Sequence, residues 1–305
     1  MTLAIQTSRL TRHFASGHGI TDVDLAVPEG SIYGFLGPNG AGKTTTIRLL
    51  LDLLRPDRGQ VQLFGQPLTR GDRSALAWVG ALVEQPSLYG HLSGRDNLEL
   101  TRRLLALPAS RIDEVLARVD LVEAARRRVR EYSLGMRQRL GIALALMGRP
   151  RLLVLDEPGN GLDPAGIQDL RALLRGFAER DGITVLVSSH QLSEVERVAT
   201  HVGVLAGGRL RFQGTLNALR QSARPRLRLR CDDPAAALQV LEQSGEHITA
   251  THDGQLILVP RLPVAEINRR LVSSGVGVAH LAHEPVTLES LFFDLTDDAA
   301  AQGVA

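Results

Sequence analysis

The chain has almost no cysteine, the residue that forms disulfides. It contains a single cysteine, Cys231, in 305 residues, so no internal disulfide can form. No histidine or second cysteine lies near Cys231 at the spacing of a zinc site, and we interpret it as a structural residue. This composition is compatible with a reduced, cytosolic setting and differs from that of small disulfide-stabilised secreted domains.

Long apolar runs are also missing. The most apolar stretch, residues 140–147, is far shorter than the ~18–20 residues that cross a bilayer as a helix. The first ten residues lack the basic start and the apolar run of a secretory signal, so we expect none. If the protein works at a membrane, we expect a partner to hold it there.

Neither sign of charge dominates the sequence. The 35 Lys and Arg residues nearly balance the 33 Asp and Glu residues, and the formal net charge is +2. Such a balance produces no strong global field, so we expect no nucleic-acid partner. The hydrophobic fraction of 44% is ordinary for a globular protein, and the length allows one large domain and a smaller one.

The order of apolar segments predicts an α/β domain over residues 1–219, with a helical insert at about 84–150. Short apolar runs typical of buried parallel strands occur at residues 31–36, 152–155, 183–187 and 201–206. Helical spacing prevails at residues 44–54, 97–107, 111–122 and 136–148.

A second domain is predicted over residues 226–296, after an arginine-rich stretch. Its segments follow the β-α-β-β-α-β order of ferredoxin-like folds, with a turn at Asp253-Gly254. We expect the tail, residues 297–305, to be disordered. The predicted fold is therefore α/β with a small α+β domain at the C-terminus.

A glycine-rich segment between a predicted strand and a predicted helix fits the pattern G-x-x-x-x-G-K-[ST]. Glycine lets the backbone approach phosphates closely, and the start of a helix attracts anions. Lys43 is expected to reach the β- and γ-phosphates, and the Thr44 hydroxyl to bind Mg²⁺. A chance match is disfavoured by the strand–loop–helix context. The segment consists of Gly37, Pro38, Asn39, Gly40, Ala41, Gly42, Lys43 and Thr44.

Polar residues follow two further apolar strands. Asp156 and Glu157 come directly after residues 152–155, where a carboxylate can face the phosphate loop. Asp156 is expected to hold Mg²⁺, and Glu157 to orient and deprotonate the attacking water. His190 follows residues 183–187 and two serines, which places it to contact the γ-phosphate and that water.

Together these motifs resemble the ATP-binding subunits of ABC transporters over roughly residues 3–219. The segment GPNGAGKTT, which also includes Thr45, and the segment LLVLDEPGNGLDP carry the resemblance. It implies a P-loop NTPase core that binds ATP and Mg²⁺ and hydrolyses ATP. It also implies that Phe14 stacks on adenine, that Asp163 belongs to the D-loop, and that His190 is the switch histidine.

The family's signature, usually LSGGQ, reads YSLGM here. Ser133 and Gly135 match the pattern, whereas Leu134 and Met136 depart from it. The resemblance implies that Ser133 and Gly135 contact ATP bound to the other subunit of a head-to-tail dimer that encloses two ATP molecules.

A second departure concerns the glutamine that precedes a permease-contacting loop in this family. Glu84 occupies that position and Gln85 comes next, so either could act there. Glutamate with YSLGM looks like the branch that exports, or confers resistance to, peptide antibiotics of the bacitracin and lantibiotic type. The resemblance therefore implies a separate integral membrane permease of the ABC-2 type. It places the protein at the cytoplasmic face of the membrane.

Two other functions compete with export. A soluble ABC-type ATPase that acts on DNA or ribosomes is disfavoured, because residues 43–133 lack sustained heptads and only one cassette is visible. A regulator that does not hydrolyse ATP would be expected to lack Glu157 or His190. The cargo, the direction of transport and the task of the C-terminal domain stay open.

Three arginines alternate along the first strand of the C-terminal domain. Arg226, Arg228 and Arg230 should point to one face, because alternate residues of a strand do so. One interpretation is a solvated sheet edge that discourages aggregation. The other is contact with anionic lipid or with an acidic partner.

Overall fold

The computed structural model describes residues 2–222, 226–250, 255–284, 288, 291–292 and 295–296. The chain divides into two units, Met1–Leu216 with Phe292–Ala305, and Asn217–Leu291. Within the described residues, no helix combines the length and the apolar character that crossing a bilayer requires.

The strands, in chain order, are β1 Leu3–His13, β2 Gly19–Val23, β3 Ala26–Pro28, β4 Ile32–Leu36, β5 Arg58–Leu63, β6 Gln66–Pro67, β7 Val79–Leu82, β8 Leu152–Leu155, β9 Thr184–Ser189, β10 His201–Ala206, β11 Arg209–Thr215, β12 Arg226–Cys231, β13 His247–Ala250, β14 Leu256–Val259 and β15 Val278–Glu284. The α-helices are α1 Lys43–Leu50, α2 Gly94–Leu104, α3 Ser110–Arg118, α4 Leu134–Leu146, α5 Pro164–Glu179, α6 Leu192–Glu196, α7 Leu216–Gln221, α8 Pro234–Gln243 and α9 Val264–Ser273. Short 3-10 helices span Ser74–Trp78 and Val129–Glu131.

A six-stranded sheet in the order β11-β10-β4-β9-β8-β7 lies at the centre of the first unit. All its neighbours pair in parallel except β11, which is antiparallel to β10. Every residue of β4, β8 and β9 is buried, as the apolar runs predicted. Because parallel strands end at the same edge, the residues that follow β4, β7, β8 and β9 come together there.

A second, antiparallel sheet runs in the order β2-β1-β5-β6, with β3 paired to β1. Buried side chains from this sheet, from β4 and from α1 share one core, which includes Ile5, Leu10, Phe35, Ile47 and Leu63. This core fixes α1, and with it the loop between β4 and α1.

Helix α1 ends four residues earlier than the pattern of leucines predicted. It ends at Leu50 because Asp52 adopts a left-handed conformation with φ 53, which Asp tolerates better than most residues. The backbone N–H groups of Leu53 and Leu54 then both bond to the Arg48 carbonyl, a closure that satisfies a carbonyl of the last turn.

The helical insert comprises α2, α3 and α4, between β7 and β8. Arg111 on α3 is 1% exposed and donates from Nε to the Met147 carbonyl at 3.0 Å. Its guanidinium also pairs with Glu114 at 2.6 Å. The buried charge is therefore both paired and hydrogen-bonded at the end of α4, which is how buried arginines are accommodated.

The second unit contains a four-stranded antiparallel sheet in the order β13-β14-β12-β15, with α8 after β12 and α9 after β14. Leu227 and Leu229 of β12 are buried while Arg228 and Arg230 are exposed, so the arginines do share a face. The edge interpretation is wrong, because β12 lies between β14 and β15. Strand order depends on long-range pairing that the local pattern does not encode. The predicted turn at residues 253–254 and the tail at 297–305 lie outside the described residues.

Candidate functional site

A cleft of about 1000 Å³ lies where the parallel strands end. Small-molecule sites commonly enclose about 300–1,000 Å³, so this cleft has room for a large ligand. The predicted residues that line it are Phe14, Asn39, Gly40, Gly42, Lys43, Thr44, Thr45, Glu84, Gln85, Asp156 and Glu157. The other predicted residues lie outside this lining: Gly37, Pro38, Ala41, Ser133, Gly135, Asp163 and His190.

The loop between β4 and α1 presents backbone and one buried cation to the cleft. Gly40 and Gly42 have φ 80 and φ 104, conformations that glycine adopts without steric cost. Lys43, the first residue of α1, is 5% exposed. Its Nζ donates to the carbonyls of Gly37 at 2.8 Å and Pro38 at 3.2 Å. The loop therefore places a fixed ammonium group at the positive end of a helix, as an anion site requires.

Asp156, directly after β8, is 4% exposed and is held by two hydroxyl groups. Thr44 donates to its Oδ2 at 2.8 Å, and Ser188 donates to its Oδ1 at 2.5 Å. A carboxylate beside a threonine hydroxyl is an oxygen donor set of the kind that Mg²⁺ takes together with substrate phosphates. The residues present therefore fit a magnesium ion.

Glu157 links the buried cation to the histidine. Its Oε1 lies 3.2 Å from Lys43 Nζ, and its Oε2 lies 3.1 Å from His190 Nδ1. The Glu157 backbone N–H donates to Ser188 Oγ at 2.9 Å. Its φ of 46 is left-handed, and such non-glycine outliers cluster at functional sites. The two predicted catalytic residues are thus in direct contact.

At the other end of the cleft, the Phe14 ring is 38% exposed. The Arg12 guanidinium lies over this ring, 5.3 Å from its centroid. Asp57 holds Arg12 at 2.8 Å and accepts a hydrogen bond from the His13 backbone N–H at 2.8 Å. That backbone bond, followed by the charge of Arg12, lowers the pKa of Asp57. These contacts fix one face of the ring and leave an aromatic surface at the cleft.

Comparison with known proteins identifies the family. The model of the ABC transporter family matches residues 20–160. The bacitracin transport ATP-binding protein BcrA of Bacillus licheniformis is 38% identical over 299 residues, which cover 97% of this chain and 98% of that protein. The chain belongs to the ABC transporter ATP-binding family. It is therefore an ATPase whose nucleotide is ATP, and both the resemblance and the predicted P-loop core are confirmed.

Two further relatives of this ABC ATPase are informative about its parts. The lantibiotic transport ATP-binding protein SrtF of Streptococcus pyogenes is 38% identical over 206 residues, 68% of this chain and 88% of that protein. The dimeric structure of a bacterial ABC transporter cassette is 25% identical with a TM-score of 0.62, and covers 70% of this chain and 98% of that one.

In the predicted signature segment of the ABC ATPase, Ser133 and Gly135 lie outside the cleft that the phosphate loop lines, whereas Leu134 between them lines it. Ser133 precedes α4 and accepts a hydrogen bond from the Met136 backbone N–H at 3.2 Å. Ser133, Gly135 and Asp163 line a neighbouring depression of about 430 Å³, which shares Leu134, Gln138 and Gly161 with the cleft. Asp163 precedes α5 and accepts a hydrogen bond from the Gly166 backbone N–H at 2.8 Å.

The segment after β7 touches both the core and the helical insert. Glu84 forms an ion pair with Arg48 of α1. Two residues later, Pro86 packs so closely on α4 that a Cβ added at Gly141 would lie 2.7 Å from the Pro86 Cβ. Only glycine at position 141 permits this approach without movement.

Several residues of the site were not predicted from the sequence. Ser188, which contacts both Asp156 and the Glu157 backbone, stood in the sequence only as part of the serine pair before His190. The cleft is also lined by residues to which the sequence assigned no role in the site: His18, Gly19, Pro86, Leu88, Gly90, Val129, Arg130, Leu134, Arg137, Gln138, Asn160 and Gly161. They reach the cleft because distant parts of the chain fold together there: the start of β2, the helical insert and the segment after β8.

Proposed function

We propose that this ABC ATPase is the motor subunit of an exporter whose channel is a separate permease, with peptide antibiotics as the cargo class. The observation that carries the proposal is the similarity to the bacitracin transport protein over 97% of the chain, through both units. The segment at Glu84 and Gln85 would pass movement to a permease of the ABC-2 type. That permease would hold the protein at the cytoplasmic face of the membrane.

The two ends of the cleft would bind different parts of ATP. Phe14 would stack on the adenine, since a planar base suits an exposed aromatic face. The loop of residues 37–45 would hold the phosphates through backbone N–H groups, and Lys43 would exchange its carbonyl partners for phosphate oxygens. Thr44 and Asp156 would hold Mg²⁺, which when bound offsets phosphate charge.

Hydrolysis would depend on Glu157. Its carboxylate would take a proton from water as the water oxygen bonds to the γ-phosphorus and the bond to the ADP oxygen breaks. His190, 3.1 Å from this carboxylate, would orient it and contact the γ-phosphate. Lys43 Nζ, 3.2 Å from Glu157 Oε1, would be the partner of this carboxylate before ATP binds.

Two chains would act together. Ser133 and Gly135 do not line the cleft of their own chain, which supports their predicted contact with ATP on a second copy. A cassette of the same family has been solved as a dimer. A head-to-tail dimer that encloses two ATP molecules would close when ATP binds and open after hydrolysis, which is the movement passed to the permease.

The role of Glu157 is tested by Glu157→Gln. We expect ATP turnover to fall about 10²–10⁴-fold, the range lost with a general base, while ATP binding is retained and a closed dimer accumulates. Turnover and dimer formation are measured by phosphate release and size-exclusion chromatography. Unchanged turnover would remove Glu157 from its role.

The export function is tested by purifying the tagged full-length protein from its own cells in mild detergent. Copurification of a multi-span permease at near-equal stoichiometry is the expected result. Recovery of ribosomes or DNA-repair proteins, with no membrane partner, would move the ATPase to the soluble class.

A further inference from the structure

The cleft contains a third carboxylate besides Asp156 and Glu157, and it has a basic partner. Glu84 lines the cleft and pairs with the guanidinium of Arg48, which lies in the last turn of α1. Helix α1, which carries Arg48, begins at Lys43 in the phosphate loop. One short helix therefore connects the phosphate loop to the residue that holds Glu84.

A carboxylate in this cleft opposes the binding of a triphosphate. Like charges repel, and the repulsion is only partly screened at distances below the Debye length of about 8–10 Å at physiological salt. A glutamate in this cleft needs a compensating positive charge, and Arg48 supplies it from the side of α1.

The position of Glu84 is also constrained through its backbone. Its φ of 62 is left-handed, which is uncommon for a residue other than glycine. Pro86, two residues later, packs closely against Gly141 of α4. The ion pair to α1 and this contact with α4 therefore hold the segment from both sides.

We propose that Arg48 is a positioning residue for Glu84: it neutralises the carboxylate and holds it away from the phosphates, so that the cleft accepts ATP. This proposal rests on the proposed nucleotide site. It makes Arg48 act through Glu84, so the effect of Arg48 disappears when Glu84 is neutral.

The test is a double-mutant cycle on the full-length protein, read out as binding of a fluorescent ATP analogue without metal, in EDTA. Arg48→Gln is expected to weaken binding about two- to fivefold when Glu84 is present, the scale of an exposed charge pair. In the Glu84→Gln background the same substitution is expected to change binding less than twofold. Such non-additivity is the signature of direct coupling between two residues.

Further variants separate the alternatives. Arg48→Lys keeps the charge and is expected to bind within twofold of the unmodified protein. Arg102→Gln removes an arginine that pairs with Glu99 on α2 and does not line the cleft, so binding should not change. An equal loss from Arg48→Gln in both backgrounds, or no loss in either, overturns the proposal.

The proposed site itself is checked by Lys43→Ala in the same assay. We expect this variant to abolish binding of the analogue. If Lys43→Ala binds normally, the nucleotide site is wrong and Arg48 has no role there. If only the Arg48 cycle is additive, the nucleotide site stands and the positioning role fails.

Discussion

Each unit of the protein contains a buried carboxylate, and the two differ in what holds them. Asp156 in the ATPase unit is 4% exposed and accepts hydrogen bonds from the hydroxyls of Thr44 and Ser188. Glu246 in the C-terminal unit is 6% exposed and accepts from the backbone N–H groups of Arg261 at 2.7 Å and Leu262 at 3.0 Å.

This difference separates a functional carboxylate from a structural one. Hydroxyl groups rotate and are acceptors as well as donors, so the oxygens of Asp156 can be released to a cation without leaving a buried group unpaired. Backbone N–H groups cannot turn away, and Glu246 satisfies two of them near the start of α9. Burial alone therefore does not identify a site. The chemistry of the partners does.

Among the variants that test this comparison, Asp156→Asn is expected to have the largest effect, which is on ATP turnover. An amide can keep hydrogen bonds to both hydroxyls, so the melting temperature should hardly change. The lost charge should lower ATP turnover at least about 100-fold, since a catalytic metal supplies several kcal/mol. Turnover and thermal unfolding are measured on the same preparation. A large fall in melting temperature with turnover preserved would make Asp156 structural.

Glu246→Gln is expected to have a smaller effect, and on the stability of its unit instead of on ATP turnover. The new NH₂ group would face one of the two backbone donors, and an unpaired buried group costs about 1–3 kcal/mol. Hydrogen exchange of the full-length protein should show faster exchange in α8 and α9, with the affinity for ATP unchanged.

Glu242→Gln is the matched control, because Glu242 lies on the same unit and is exposed. It should leave the exchange rates as they are. Protection that is equal in both variants would contradict the structural role of Glu246.

The same contrast explains what could be predicted from the sequence. The phosphate loop and the pair Asp156-Glu157 are local motifs that follow apolar strands, and strand-end geometry brings them together wherever the sheet is parallel. Ser188 was missed because its contacts exist only once β9 lies between β4 and β8. The same long-range pairing places β12 inside its sheet rather than at the edge.

The predicted end of one helix, α1, was also wrong because of a local backbone conformation. The leucines of residues 49–54 suggest a continuous helix, but the left-handed Asp52 stops α1. The ion pair between Arg48 and Glu84 could not be predicted either, because Arg48 on α1 and Glu84 in the segment after β7 are 36 residues apart. The sequence thus identifies single residues of the site better than it identifies their partners.

The smallest effect is expected at Asp57. This carboxylate accepts one hydrogen bond from the backbone N–H of His13 and pairs with the side chain of Arg12. In Asp57→Asn, Arg12 loses its anchor over Phe14, so the KM for ATP should rise about two- to threefold with kcat unchanged, because an exposed pair is weak. Steady-state kinetics at neutral pH measure this. Arg58→Gln, which removes a partner of Asp22 instead, is the control.

The pH dependence gives the same prediction a second readout. The pKa of Asp57 is lowered in the folded protein, so its contribution to stability is present above the pKa of the unfolded chain and is lost as pH falls through the lowered value. The difference in melting temperature between the unmodified protein and Asp57→Asn should therefore appear at neutral pH and shrink in acid. If the difference in melting temperature stays constant with pH, the carboxylate charge is not what holds Arg12. The role of Asp57 would then match neither the functional role of Asp156 nor the structural role of Glu246.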